Sequence, residues 1–543
     1  MGKILSNYRT SIVSDLIDTL TTNTHNYYGI ATGAVPNLGN VQPDSSDNYN
    51  NQFLTSWQLL FGKKISNNDV KPMIVNNPWV SNTVYSRYDN TPNTFSENAN
   101  TYANTNYYVI VPPGIYGGGY NIYICIDNAN SSPSMEPPLL IQPTSFQTSD
   151  NYIWRYITTI NSFDYVKFST NDYVPVYANV SLSAAAYNYS GIDNVIITNS
   201  GKGYSSHNDG IIRSVVNTTL IQIDSSFSNS TNTPSIDNDF YTNNGIYIYD
   251  PTTSTSQYFG VAKYVSNTSG VVQTNWIYLD AQANLNNIVP GVTQYKISPK
   301  VVFKTDATIP PVAYSVIDTV ANTISDIVII DPGIGVTWAN ISIQSNTSYP
   351  TANSGNRANA YVVVPPNGGH GYDPLSELKV AGIGISFTFA NNENNHLPTY
   401  CLYNKIGIVK DPYGLVANTY VANVTTISQD SSFANQYFTQ VLVANITPTG
   451  VIFTVGDSVT GSISNALGTV VFSNSSQIGL VGDKYFANNE PIVSSSGTLS
   501  ANININTFGQ IYPKNLDILY VQNLTDVQRS NTQSENYKIV IQI

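Results

Sequence analysis

Charged side chains are scarce in this chain. Only 10% of its 543 residues are Asp, Glu, Lys or Arg, against roughly a quarter in ordinary globular proteins. Lys and Arg number 22 and Asp and Glu 34, for a formal net charge of −12. A nucleic-acid groove needs clustered positive charge, so no nucleic-acid partner is expected. Cysteine is almost missing too. Cys125 and Cys401 stand far apart; a disulfide between them is one reading, but two cysteines do not make a disulfide framework, and the favoured reading of each is a small buried apolar residue. No apolar run reaches the ~18 residues of a membrane-crossing helix, and the first residues lack a secretory n-region and h-region. Residues 1–6 do match a myristoylation pattern. A single acyl chain without a second signal binds membranes only marginally, so no membrane insertion is expected.

Catalytic signatures are equally thin. His25, His207, His370 and His396 are isolated, and no two have the i, i+4 spacing of a helical zinc site. Gly117-Gly118-Gly119 lacks the Lys-Ser/Thr of a phosphate-binding loop, and no Gly-x-Ser-x-Gly nucleophile elbow occurs. His370 sits among glycines in 368–371 with Asp373 close by. That setting suits a general base or metal ligand, but no Cys or Glu partner stands nearby. The favoured reading is a loop residue bonded to backbone. No catalytic, cofactor-binding or metal residue is predicted.

Polarity comes instead from Asn, Ser and Thr, and bulk from 40 Tyr. Disordered chains lack aromatic and β-branched residues, and this chain has both throughout, so it folds. A weakly charged, aromatic-rich surface suits protein–protein contacts. The length suggests roughly three to four domains.

Helical spacing is sparse and concentrated near the N-terminus. Ile12, Leu16 and Thr19 or Leu20 share one face; a second helix is expected near 53–61, and Ser66 or Asn67 can cap a further turn. Beyond about residue 105 strands follow one another. Those at 107–111 and 122–126 flank a glycine-rich turn, and later ones alternate Val, Ile and Tyr with Asn, Ser and Thr. Residues 192–203 align with 324–335, each a strand ending in Gly-x-Gly; a common turn pattern and a duplicated unit both explain this. A weaker echo pairs 453–459 with 486–492.

Five short signatures also occur in order. The first is 77–89, with Trp79, Tyr85, Arg87 and Tyr88, just after the helix-like stretch 55–64. The second, 149–156, holds Tyr152, Trp154, Arg155 and Tyr156 and runs on to Tyr173-Val174-Pro175-Val176. The third is the Gly368-Gly369-His370-Gly371 loop within 365–374, followed by Ser376-Glu377-Leu378, and the fourth is 406–412. The last is Leu519-Tyr520-Val521-Gln522-Asn523 with Arg529, Gln533 and Glu535. From about residue 50 to the end, this order resembles the baseplate wedge subunits of contractile-tailed, T-even-type phages, and most of all the long forms of cyanobacterial phages. The chain departs from the short coliphage form in its length, and Pro78 stands where long relatives tend to be basic.

The resemblance implies a structural subunit of a tail baseplate in the virion, a homodimer held by other wedge proteins, with no enzymatic step. The expected fold is mainly β with a few short N-terminal helices, in a multi-domain, β-sandwich-like architecture. Its expected parts are an α+β region at 1–180, a β-rich region with the repeat at 181–412, an inserted small β domain at 413–508, and returning strands at 509–543. Trp79, Arg87, Trp154, Tyr156, His370 and Arg529 are the structural or interface candidates. Arginines this rare are expected to pair internally, with Asp89 and Glu535 as partners. Trp79, Trp154 and Tyr156 read as core or interface packing ahead of a sugar platform. Two other functions compete: a host-binding tail-fibre adhesin recognising surface polysaccharide, and a polysaccharide hydrolase or lyase, whose carboxylate pair leaves no sequence mark. Finally, the last strand, 538–543, is expected to bury Ile539, Ile541 and Ile543 beside the strand at 518–522.

Overall fold

Alternating β-branched and polar residues give strands throughout, and the protein is mainly β. The computed structural model describes residues 6–22, 24–35, 48–89, 106–114, 118–177, 191–204, 209–225, 233–269, 272–344, 356–366, 368–415, 429–432, 434–482, 486–512 and 516–543. The myristoylation pattern, His207, Asn367 and part of the glycine turn at 115–117 lie outside them. No described helix is long and apolar enough to cross a membrane. The chain forms two compact units. One comprises Met1–Asn76, Ser162–Tyr177 and Val380–Ile543; the other comprises Asn77–Asn161 and Ala178–Lys379.

The first unit has a five-stranded sheet in the order Tyr437–Thr439, Phe61–Lys64, Tyr27–Thr32, Leu402–Lys410, Asp517–Gln528. A four-stranded sheet runs Ser534–Gln542, Gly382–Ala390, Val70–Val75, Tyr173–Pro175. The two meet face to face through aromatic side chains. Phe61 and Phe389 lie 4.9 Å apart edge to face, and the Tyr403 and Tyr537 hydroxyls hydrogen-bond. Gly29 makes this close approach possible, since a Cβ there would sit 2.7 Å from the Phe387 ring.

The same unit holds a closed six-stranded barrel built from strands between Leu442–Thr447 and Ser500–Thr507. It lies within the stretch read from sequence as a small β domain. Its two echo segments have one conformation. Phe453 and Phe486 are both buried, and Gly456 and Asn489 both take positive φ. The Asp457 carboxylate accepts from Thr454 N–H at 3.3 Å, as Glu490 does from Ala487 N–H at 2.6 Å. Gly456 donates to Val470 at 2.8 Å, as Asn489 does to Ile503 at 2.7 Å.

The second unit has a four-stranded sheet ordered Tyr108–Val111, Tyr120–Asn128, Tyr152–Ile160, Phe146–Gln147. The first two strands are the antiparallel pair expected around the glycine-rich turn. A second closed six-stranded barrel spans Asp209–Asn217 to Gln294–Ile297, with a different strand order from the first. The aligned repeats lie in strands Asn194–Asn199 and Thr323–Asp331, which share one apolar core. Gly201, Gly203, Gly333 and Gly335 all take positive φ, the region glycine enters without a Cβ penalty. Asn199 and Asp331 each accept from the N–H two residues on, at 2.8 Å. The copies also bond each other reciprocally. Ile192 N–H donates to Pro332 O at 2.8 Å, and Ile324 N–H donates to Ser200 O at 2.9 Å.

Three expectations need correction. The first helix, Ser6–Thr21, buries Val13, with Leu16, Ile17 and Leu20 half-buried, while Ile12 is exposed. The second helix is Tyr49–Trp57, one turn earlier than expected, because the Asn48 side chain accepts from Asn51 N–H and caps it there. Two further short helices, Ser162–Phe168 and Pro374–Glu377, lie later in the chain. The last strand joins the first unit but pairs with Gly382–Ala390, not with the strand at 518–522. It is the edge of its sheet, so Ile539 is buried whereas Ile541 and Ile543 are only half-buried.

Candidate functional site

In the second unit, the predicted aromatic residues cluster on the four-stranded sheet. Trp154 is fully buried, stacked on Tyr152 with centroids 5.4 Å apart, and meets Tyr85 edge to face at 5.6 Å. Half-buried Trp79 donates from Nε1 to Ser134 at 3.2 Å. Tyr156 lies beside Tyr123, its hydroxyl 2.6 Å from that of Thr159. With Trp154 out of solvent, these rings form a core and not an open sugar platform.

Beside this core, Asp150 ties one loop together. Its carboxylate accepts from Met135 N–H at 2.7 Å, Glu136 N–H at 3.0 Å and the Ser134 hydroxyl at 3.0 Å. Burial pushes the carboxyl up, but bonds from Thr148 and from the Met135, Glu136 and Tyr152 amides outweigh it and hold it below the ordinary value. A depressed folded value stabilises above the unfolded pKa, near 4, and this stabilisation is lost as pH falls through the folded value. Asp150→Asn is therefore expected to lower the urea midpoint at pH 7 and to narrow its difference from wild type at pH 3. Equal loss at both pH values would show that charge is not the cause.

Arg87 does not reach Asp89. Its guanidinium lies 3.7 Å from the Asp127 carboxylate and 4.9 Å over the Tyr361 ring. Tyr361 closes the group by donating to Asp127 or to Ile126 O, at 3.1 and 3.0 Å. The fold, not sequence proximity, supplies this partner.

His370 also departs from expectation, because its partner is a carboxylate. Asp373 caps the short helix Pro374–Glu377 and brings Glu377 back onto the glycine loop. His370 Nδ1 is 2.6 Å from Glu377 Oε1, and Gly371 N–H donates to Glu377 Oε2 at 2.7 Å. Nε2 lies 3.9 Å from Asp193, has no hydrogen-bond partner among the described residues, and faces a carboxylate that Arg155 pairs at 3.2 Å. The Tyr88 ring packs edge to face on the imidazole at 5.2 Å. The His370 and Glu377 side chains are both 0% exposed. A general base needs hydrogen-bond reach to a substrate proton, and this pair has no solvent face from which to offer it. It clamps the loop.

In the first unit, Arg529 pairs with Glu535 as predicted. It is 1% exposed, donates from Nε to both carboxylate oxygens at 3.2 and 3.1 Å, and reaches Pro398 O at 2.8 Å. Asn391 O accepts a further bond, and the guanidinium stacks 4.9 Å over Phe61. Burial pushes the Glu535 carboxyl up, and Arg529 offsets this in part. Among the described residues, no three His, Cys, Asp or Glu side chains gather to hold a metal.

Cys125 and Cys401 are buried free thiols, one in each unit. Burial pushes both up, Cys401 to about 12. The thiolate is the reactive form, so neither is expected to react with a thiol-specific reagent in the native protein, and both should react in denaturant. Rapid native labelling would contradict the burial.

No family model matches this chain, and no curated protein matches it.

Proposed function

We propose that this chain is a structural subunit of a contractile-tail baseplate wedge and carries no catalytic centre. The ordered signatures are the sequence side of that reading. The observation that carries it is where the rarest residues in those signatures lie: Trp154, His370 and Arg529 are buried in cores and clamps. A wedge subunit has to keep its own fold while its contacts with neighbours rearrange, and rigid-body rotation of this kind calls for stiff domains. Closed barrels and buried ion pairs supply stiffness.

A patch of exposed apolar side chains supports contact with a neighbour. Met135, Leu139, Leu140 and Ile141 are 59, 63, 54 and 62% exposed within one proline-flanked stretch. Exposed apolar groups this close together mark contact surfaces. The partners would be other wedge proteins and a second copy of the chain. Immunogold electron microscopy of virions is expected to label the baseplate, and the purified protein to have the mass of a dimer. Label on the capsid or fibre tips, or a trimeric mass, would reject the proposal.

A further inference from the structure

In the first unit, a groove of about 670 Å³ runs between the helix Tyr49–Trp57 and the place where strand Leu402–Lys410 ends and strand Asp517–Gln528 begins. That volume falls in the range of small-molecule sites. On the helix side, Tyr49, Phe53 and Trp57 recur every fourth residue and so share one face. Phe53 and Trp57 meet edge to face at 5.2 Å; Tyr49 is 79% and Phe53 36% exposed. These rings offer apolar faces to the solvent instead of completing a core.

Lys410 and Asp517 stand on the other side, directly opposite each other in strand register. Among the described residues, no ion pair or side-chain hydrogen bond is formed by either of them. Gln52 also lines the groove. The lining therefore combines flat aromatic surface with one cation, one carboxylate and one amide.

This mixture restricts what fits. An apolar ligand would strip water from Lys410 and Asp517 and offer neither of them a hydrogen bond. An anion is repelled by Asp517 and a cation by Lys410. A neutral polyhydroxylated ring satisfies all three demands: its C–H face lies on an aromatic ring, while its hydroxyls donate to the carboxylate and accept from the ammonium and amide. We propose that this groove binds a neutral saccharide. The proposal is independent of the wedge reading, since a scaffold subunit can carry a glycan site.

Maltotetraose, cellotetraose and chitotetraose titrated into the full chain test it, by tryptophan fluorescence and saturation-transfer NMR. Saturable binding of at least one is expected, weakened about tenfold or more by Asp517→Asn and by Tyr49→Ala, each roughly 1.4 kcal/mol of binding free energy. Tyr49 is largely exposed, so this variant should melt as wild type does and separate loss of binding from loss of fold. Absence of saturable binding by all three sugars, or binding that both variants retain, overturns the proposal.

Discussion

Arg529→Ala is expected to cost about 3–5 kcal/mol of unfolding free energy at neutral pH, the usual result of removing one partner from a buried ion pair. Several losses coincide. Glu535 would keep its burial without its cation, the Pro398 and Asn391 carbonyls would lose their donor, and Phe61 would lose the stacked guanidinium. The pH dependence has a defined sign. Burial already raises the Glu535 carboxyl and Arg529 pulls it back, so the variant carboxyl should rise further. A raised acid is penalised as pH climbs from the unfolded value, near 4.3, to the folded one. The deficit should therefore be larger at pH 8 than at pH 4. Urea unfolding of Arg529→Ala, Glu535→Gln and the double variant at both pH values would measure it. A loss at pH 8 within the roughly 0.5 kcal/mol of ordinary surface changes would mean the clamp is unimportant.

Deleting residues 538–543 should have the second large effect: insoluble protein, or protein with no cooperative melting transition. The strand Ser534–Gln542 pairs along the whole of Gly382–Ala390. Removing its second half strips the pairs from Ser386↔Lys538 to Gly382↔Gln542 and exposes the edge of an otherwise interior strand. Ile539 alone contributes about 1.5–3 kcal/mol by burial. Lys538 also donates to Val166 O and Ser169 O, at 2.7 and 2.8 Å, fastening the helix Ser162–Phe168. Ile539→Asp in the full-length chain separates the apolar term from the pairing. A truncated chain that is soluble and melts cooperatively near the wild-type temperature would show the strand to be dispensable.

Local pattern made much of this legible in the sequence. Alternation marked the strands, Gly-x-Gly marked the turns with positive φ, and Arg529 with Glu535 six residues on could be paired directly. Distance defeated the rest. Alternation says which residues of the last strand share a face but not which strand lies beside it, so Gly382–Ala390 was missed. Arg87 turned to Asp127 because the sheet brings Asp127 nearer than Asp89. Glu377 was the clearest signal overlooked as a partner for His370. Asp373-Pro374 is a helix start, with a capping side chain and a proline whose missing N–H costs nothing there. A single turn from that point folds the chain back toward His370. The groove at Tyr49 was also out of reach, since its two sides are hundreds of residues apart in the chain.

The reciprocal bonds between 192–203 and 324–335 have a consequence for refolding. Each segment presents to the other the same edge that it receives, as identical subunits do across a two-fold axis. Nothing in the two bonds distinguishes a partner in the same chain from one in another molecule; only the tether favours the former. At high chain concentration that advantage shrinks, and segments exchanged between molecules become competitive. Refolding from denaturant should therefore give a fraction of segment-exchanged species that grows with protein concentration and, unlike the native assembly, does not come apart on dilution.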